Sequence, residues 1–222
     1  MDALSGTTFA PSELILLRGD EFAPKAGLVN ATKLLQGDLK VSVRELARAI
    51  VAGALLANER VGALRIEVRS KKALLGLTQV TTCVAEPTGS SYAWPPATLE
   101  ARVLPIAAQL RQTRGQSDVF MLVYTLLERD SSDPWSALVD MVKAGLAQRG
   151  LLAANEKKTL GIFRSVEYSL PANTAALAAG QSAGSVQRML AESEHTRPEL
   201  HKRLLSEIDK AIKRRVEQSD DD

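Results

Sequence analysis

The hydrophobic period of the chain changes from about four residues to two at Gly62, and this change restricts the fold more than any other feature. Between Lys40 and Asn58 small and apolar residues recur at three and four positions, which predicts a helix. Ser42 and Glu45 have the spacing of a capping box at its start. The residues that share its apolar face are Leu46, Ile50, Gly53, Ala54 and Ala57.

A strand follows this helix. Leu64, Ile66 and Val68 alternate with charged residues, a pattern typical of a half-buried strand. A basic turn is predicted at 70–72, and a second strand follows it with Val80, Thr82 and Val84. A helix followed by a hairpin is the element order of a winged helix.

The remaining segments are mostly helical in pattern. Ser12 is predicted to cap a first helix, and Asp133 with Pro134 to start another that ends at Gly150. Residues 118–127 are apolar on nearly every face, so a buried helix and a strand both fit. Residues 173–185 fit a helix or a linker, and 198–218 a helix. The last has an apolar stripe of Leu200, Leu204, Ile208, Ile212 and Val216.

Composition supports a mainly α fold. Of the 222 residues 45% are hydrophobic but only 4% aromatic, so the core must be built of Leu, Val, Ile and Ala, which favours helices. We expect a compact helical domain with winged-helix-like short β-hairpins over residues 1–175. Residues 176–222 are expected to form a helical extension packed on it.

The charge pattern and the cysteine usage narrow the function classes. A net charge of +2 does not by itself indicate a nucleic-acid partner. One cysteine, Cys83, allows no intramolecular disulfide, which fits a reducing compartment. Neither a secretory signal nor a membrane span is recognisable. We expect a cytoplasmic protein that meets a membrane only at its surface.

No catalytic, cofactor or metal constellation is readable. His195 and His201 have no further ligand at metal-site spacing, and Cys83 has no histidine nearby in the sequence. Phosphate-binding and dinucleotide-binding glycine motifs are absent from the sequence. We therefore expect no enzyme, no cofactor and no metal.

Basic clusters remain as candidate sites. One lies at Arg69, Lys71 and Lys72, and another along the C-terminal helix. A third differs from these because it adjoins apolar residues, a combination that can neutralise anionic headgroups and also insert between lipids. Its candidate lipid-binding residues are Lys157, Lys158 and Arg164, and its candidate membrane-contacting residues are Leu160, Ile162 and Phe163.

Four stretches in this order resemble the Golgi phosphoprotein 3 family. They are "SELILLRGDE" (12–21), "AGALLANERVGALRIE" (52–67), "SKKALLG" with "EPTGS" (70–90), and "LAQRGLLAANEKKTLGIFRSVEYSLPAN" (146–173). The resemblance implies a mostly helical domain, peripheral membrane binding to phosphatidylinositol 4-phosphate, protein partners such as glycosyltransferase tails, and no catalysis. Arg48 lies near one arginine of the family's lipid pocket, whereas Ser136 and Val139 stand at two others.

Other hypotheses stay open on the residues alone. The segment from Lys40 to Val84 fits a nucleic-acid-binding winged helix whose basic residues are Arg44, Arg48, Arg69, Lys71 and Lys72, although the modest net charge argues against this partner. The C-terminal stripe fits a scaffold that pairs with a partner helix, or a helix of the protein's own core.

Overall fold

The mainly α fold class is confirmed. A computed structural model of the chain describes residues 9–27, 29–73, 78–127, 133–159 and 163–219. The chain is 59% helical. The helices are α1 (Pro11–Leu17), α2 (Val43–Arg60), α3 (Leu99–Arg114), α4 (Val119–Leu126), α5 (Pro134–Gln148), α6 (Ala172–Gly180), α7 (Gly184–Thr196) and α8 (Pro198–Ser219).

The described strands form three antiparallel pairs and no larger sheet. β1 (Ala31–Lys33) pairs with β2 (Lys40–Ser42), β3 (Leu64–Ala73) with β4 (Thr78–Pro87), and β5 (Ala153–Thr159) with β6 (Phe163–Ser169). The first pair was not predicted, because three-residue strands show too little alternation to be recognised. The segment 70–72 belongs to β3, so the basic turn predicted there is wrong.

Helix α2 is the centre of the core. The oxygen Oγ of Ser42 caps it, as predicted, by accepting a hydrogen bond from the amide of Glu45 at 3.3 Å. The amide of Ser42 donates to the carbonyl of Pro24 and not to Glu45, so the predicted capping box is only half formed. The predicted face is buried, but so are Val51 and Leu55 on other faces. Helices α1, α3, α5, α7 and α8 all contact α2, which explains why it is apolar nearly all round.

Helix α8 belongs to the same core. Leu204, Ile208 and Ile212 are fully buried, and α8 packs mainly against α4, with further contacts to α2 and β4. The C-terminal stripe is therefore core within this fold.

The segment 119–126 is the helix α4 and not a strand, and residues 172–180 form α6. Helix α7 was not predicted.

The first helix begins earlier than predicted. Ala10, with extended backbone, precedes Pro11 at the first helical position. Ser12 is therefore inside α1 and does not cap it. Every residue of α1 is buried, including Ser12 and Glu13. Such a helix needs polar partners from elsewhere in the chain.

A close contact between α5 and the loop before α3 gives a test of this packing. A Cβ atom on Gly145 would lie 2.3 Å from the carbonyl oxygen of Ala97, a backbone atom that cannot turn aside. We expect Gly145→Ala to lower the free energy of unfolding by at least about 1 kcal/mol despite the better helix propensity of alanine. Urea denaturation measures the change. Gly180→Ala is the control, because nothing lies within 4 Å of its Cβ position. Equal stability of both variants would contradict this packing.

Candidate functional site

The structure confirms an antiparallel hairpin at the apolar and basic cluster. Strands β5 and β6 pair from Ala153 with Ser169 out to Thr159 with Phe163. Lys157 is opposite Ser165, and Lys158 is opposite Arg164. Leu160 and Ile162 lie outside the described residues. Four of the six predicted hairpin residues are therefore placed on the outer rungs of this ladder, next to the turn.

The two faces of the hairpin differ in charge. Directly opposite residues share a face, and successive residues alternate. Lys158 and Arg164 thus occupy one rung of one face, while Lys157 belongs to the other. Like charges directly opposite each other destabilise an antiparallel pair. The register therefore puts two basic residue types on one rung, and the acidic Glu156 follows on the same face.

The base of the hairpin is anchored in the core. Leu152 is buried, and Leu151 and Tyr168 pack against the core. Farther out, residues 153–156 are exposed and Val166 is 46% exposed. Burial, and secondarily the charge of Asp140, raises the pKa of Tyr168. Most of the described hairpin surface beyond its base therefore faces solvent.

A turn between α5 and β5 sets the direction of the hairpin. Gly150 has a φ of 72°, a left-handed conformation that glycine adopts without strain. The amide of Leu151 donates to the carbonyl of Leu146 at 2.9 Å, which closes the helix end. The base of the hairpin is thereby fixed to the last turn of α5.

A buried ion pair holds this helix end on α1. Nη1 of Arg149 lies 2.6 Å from both carboxylate oxygens of Glu13, whose exposure is 1%. The carboxylate also accepts from the amide of Ala10 at 2.9 Å. Burial raises the pKa of Glu13, and the hydrogen bond from Arg149 offsets part of that rise. The pair therefore connects the hairpin base to the start of α1.

A second buried carboxylate extends this network to α3. Glu100 accepts from the amide and from the hydroxyl of Ser12, each at 2.8 Å. Nδ2 of Asn58 on α2 donates to the carbonyl oxygen of Glu100, and Trp94 Nε1 donates to Oδ1 of Asn58. Burial raises the pKa of Glu100 to about 7. Sequence reasoning missed this network, although a serine and a glutamate inside an apolar helix are a signal of it.

Arg48, the remaining candidate lipid ligand, is engaged by carboxylates. Its Nε and Nη2 lie 2.9 and 2.6 Å from the two oxygens of Asp209 on α8, and Nη1 lies 2.8 Å from Glu45. Arg44 also binds Asp209, at 2.9 Å, and its guanidinium lies 5.5 Å from the ring centre of Trp135. Burial acts to raise the pKa of Asp209, but the two arginines outweigh it and the pKa is lowered.

Position 139 fills the core. Val139 is 1% exposed, and Ser136, in the first turn of α5, binds Asp133. Neither position supplies a cation where the family resemblance expects arginine. Arg48 instead lines a cleft of about 340 Å³ between α2, α7 and α8, which also contains Glu45, Glu194 and His201.

Arg69 is also neutralised within the protein. Its guanidinium binds Glu67 and lies 2.8 Å from Glu86, a carboxylate that Arg111 approaches at 3.1 Å. Three of the five basic residues that support a nucleic-acid hypothesis, Arg44, Arg48 and Arg69, are thus paired with carboxylates. The side chains of Lys71 and Lys72 lie outside the described part of the structure.

The cysteine and histidines are far from reactive arrangements. Cys83 is fully buried, and burial raises the pKa of its thiol to about 12. Nδ1 of His201 lies 3.2 Å from the hydroxyl of Ser193, and burial lowers its pKa. No group of three or more His, Cys, Asp or Glu in the described ranges could hold a metal ion. Among the same residues no helix is both long and apolar enough to cross a bilayer.

No protein-family model, curated protein or solved structure matches this chain.

The buried pair of Glu13 and Arg149 should dominate stability at the hairpin base. We expect Arg149→Met to cost roughly 3–5 kcal/mol, because it leaves a buried carboxylate uncompensated. Glu13→Gln combined with Arg149→Met should recover part of this loss. Arg214→Met is the control, since its pair with Glu217 is largely exposed and should contribute about 1 kcal/mol or less. Chemical denaturation measures the free energy of unfolding of the native protein and the three variants. A loss of stability in Arg149→Met no larger than in Arg214→Met would contradict the role of the buried pair.

Glu100 should make stability fall as the pH rises. Its pKa in the folded protein, about 7, lies above the ordinary value of 4.5, so the folded state binds the proton more tightly than the unfolded state. Its contribution is therefore greatest below pH 4.5 and is lost as the pH approaches 7. Relative to Glu100→Gln, the free energy of unfolding of the native protein should fall by on the order of 3 kcal/mol between pH 4.5 and 7. Denaturation curves at several pH values measure the difference, and parallel pH profiles would refute it.

Proposed function

We propose that this protein is a non-catalytic module that binds anionic membrane surfaces through the hairpin β5–β6. The observation that carries the proposal is the register of its outer rungs. Two cations, Lys158 and Arg164, share one rung, and Phe163 lies on the next rung toward the turn. The sequence places Leu160 and Ile162 between the strands. A basic rung thus borders an apolar tip.

This order of residues suits a bilayer surface. Cations attract the phosphates of anionic headgroups, each contributing about 1 kcal/mol near the surface. Apolar residues beside them gain by entering the boundary between headgroups and acyl chains. Anions near Lys158 and Arg164 would also remove the repulsion within their rung. Attraction to the headgroups and relief of the repulsion between Lys158 and Arg164 therefore both favour the membrane-bound state.

The attachment of the hairpin supports this role. Its base is held by Leu152 and by the buried pair of Arg149 and Glu13, while residues 153–156 and Val166, farther along the strands, are exposed. A hairpin that inserts into a membrane holds the whole domain there only if it is firmly attached to that domain. Because its base is already ordered, contact with the membrane costs less conformational entropy. In this proposal the protein works in the cytoplasm and meets the membrane peripherally.

The resemblance to the Golgi phosphoprotein 3 family supports the same function and names phosphatidylinositol 4-phosphate as a candidate headgroup. It also suggests a protein partner. Within the proposal Arg48 stays a predicted headgroup ligand, but a phosphate there must compete with Asp209 and Glu45. We therefore assign the main contact to the hairpin.

The pairing of the arginines disfavours nucleic acid as the partner. Phosphate contacts require cations that can exchange their counterions for the backbone. Arg44, Arg48 and Arg69 are each bound to carboxylates instead. A gel shift at low salt, where such contacts are strongest, should show no complex.

Co-sedimentation with liposomes tests the proposal. The full chain is mixed with neutral vesicles, with vesicles containing phosphatidylserine, and with vesicles containing phosphatidylinositol 4-phosphate, each at low and near-physiological salt. We expect binding to the anionic vesicles that weakens with salt. Lys158→Gln with Arg164→Gln should reduce partitioning about 30-fold, the equivalent of about 2 kcal/mol for two charges.

A matched control removes the same charge elsewhere. Lys25→Gln with Lys40→Gln replaces two exposed lysines of the β1–β2 region and should leave most of the binding intact. Equal losses in both double variants would show diffuse electrostatics instead of a hairpin site. Absence of binding to every anionic vesicle at low salt would refute the membrane function. Loss of phosphoinositide preference in Arg48→Gln, with phosphatidylserine binding kept, would assign Arg48 to the headgroup.

A further inference from the structure

One face of the hairpin β3–β4 is buried near Cys83 and exposed near Ser70 and Thr81. Val68 is opposite Cys83, and these positions share a face with the rung of Ser70 and Thr81. Cys83 is fully buried, but Val68 is 40% exposed. The hydroxyls of Ser70 and Thr81 lie 3.2 Å apart in an exposed position. The same face therefore passes from core to open surface within a few residues.

Helix α8 runs beside this exposed face and leaves a groove. The groove encloses about 460 Å³, which is within the size range of small-molecule sites. Two of its lining residues, Val68 and Thr81, belong to the hairpin. The others lie on one face of α8 and are Glu199, Lys202, Arg203 and Ser206.

The cations of this groove are incompletely neutralised. Lys202 is exposed and forms no ion pair with any carboxylate in the part of the chain that the structure describes. Nη1 of Arg203 lies 3.6 Å from Oε1 of Glu207, and the same oxygen is 3.3 Å from Nζ of Lys210. One carboxylate thus serves two cations at distances above 3 Å, whereas Arg44, Arg48 and Arg69 each lie within 3 Å of a carboxylate. With Glu199 counted, Lys202, Arg203 and Lys210 still outnumber the two carboxylates at the groove by one charge.

The polar groups in the groove suit a phosphate. Lysine supplies a mobile point charge and arginine a planar fork of donors, the two geometries by which proteins bind phosphate oxygens. The hydroxyls of Ser206 and Thr81 add further donors on two sides of the cavity. Val68 offers apolar surface to an organic part, and the carboxylate of Glu199 can accept a hydrogen bond from its hydroxyls.

We propose that the groove between β3–β4 and α8 binds a phosphate monoester on a compact polyol body. Lys202 and Arg203 hold the phosphate, since two cations complement a dianion better than a singly charged carboxylate or phosphate diester. The site is separate from the hairpin β5–β6 and uses none of its residues. A soluble phosphorylated metabolite and the headgroup of a phosphatidic-acid lipid both present the phosphate monoester, and only the soluble polyol also presents hydroxyls to Glu199.

Binding of glycerol 3-phosphate to the full chain tests the site. Titration at about 0.15 M salt, followed by amide chemical shifts, should show saturable changes at Val68, Thr81 and Ser206. Lys202→Gln with Arg203→Gln should weaken binding at least about tenfold, because each charge-assisted hydrogen bond contributes more than 1 kcal/mol. The matched control is Lys213→Gln with Arg214→Gln, which removes the same charge from α8 outside the groove lining. This control should bind glycerol 3-phosphate with the affinity of the native protein.

Two results would overturn the site: unsaturable or absent shifts in the native protein, or equal weakening in the control. Vesicles identify the source of the phosphate. A groove variant that loses affinity for phosphatidic acid, but not for phosphatidylserine at equal charge, would point to the lipid. Unchanged vesicle binding with lost glycerol 3-phosphate binding would point to a soluble ligand. The Lys158 and Arg164 double variant should still bind glycerol 3-phosphate, so failure of the hairpin proposal and failure of the groove proposal are separable.

Discussion

The buried ion pair between Glu13 and Arg149 is the contact on which the rest of this architecture depends. Helix α1 is buried along its whole length, so the charge of Glu13 requires a partner inside the protein. That partner is the residue between α5 and the turn at Gly150. One interaction therefore neutralises the single acid of α1 and fixes the base of the hairpin β5–β6. The network continues through Ser12 to Glu100, so α1 is joined to α3 by hydrogen bonds between buried groups and to the end of α5 by Arg149.

Ion pairing also decides which basic residues are left to meet a partner. Asp209 binds both Arg44 and Arg48 across the interface of α2 and α8, and Glu86 binds Arg69. These arginines hold elements together, because a partly buried charge without a counter-charge would be costly. Two groups of basic residues lie at the edges of the fold. Lys202 and Arg203 border a groove beside β3–β4, and Lys158 and Arg164 share a rung near the end of a hairpin. The arginines that hold elements together are therefore separate from the two groups for which we propose a binding role.

Local features of the fold were predictable from the sequence, and long-range ones were not. The caps at Ser42 and Asp133, the start of β3 and the apolar stripe of α8 follow from residue spacing alone. Helix α7 escaped prediction, as did the start of α1 at Pro11, where proline competes with a serine cap. The pairing of Arg48 with Asp209 spans 161 positions. Periodicity carries no information about such contacts. The hairpin was predictable as an element, but its register, which places Lys158 opposite Arg164, required the structure.

In the proposed function, this register explains why the hairpin needs an anchored base. A rung of two like charges weakens an isolated two-stranded hairpin, which is only marginally stable in water. Here the inner end of the ladder is held by Leu152, Tyr168 and the pair of Arg149 with Glu13, so the fold bears the repulsion at the outer end. A hairpin without that anchor would have to order itself on each encounter, and its affinity would fall by the entropy of ordering. In the proposed function, stability supplied at the base is thus what allows two basic residues to share a rung near the outer end of the ladder.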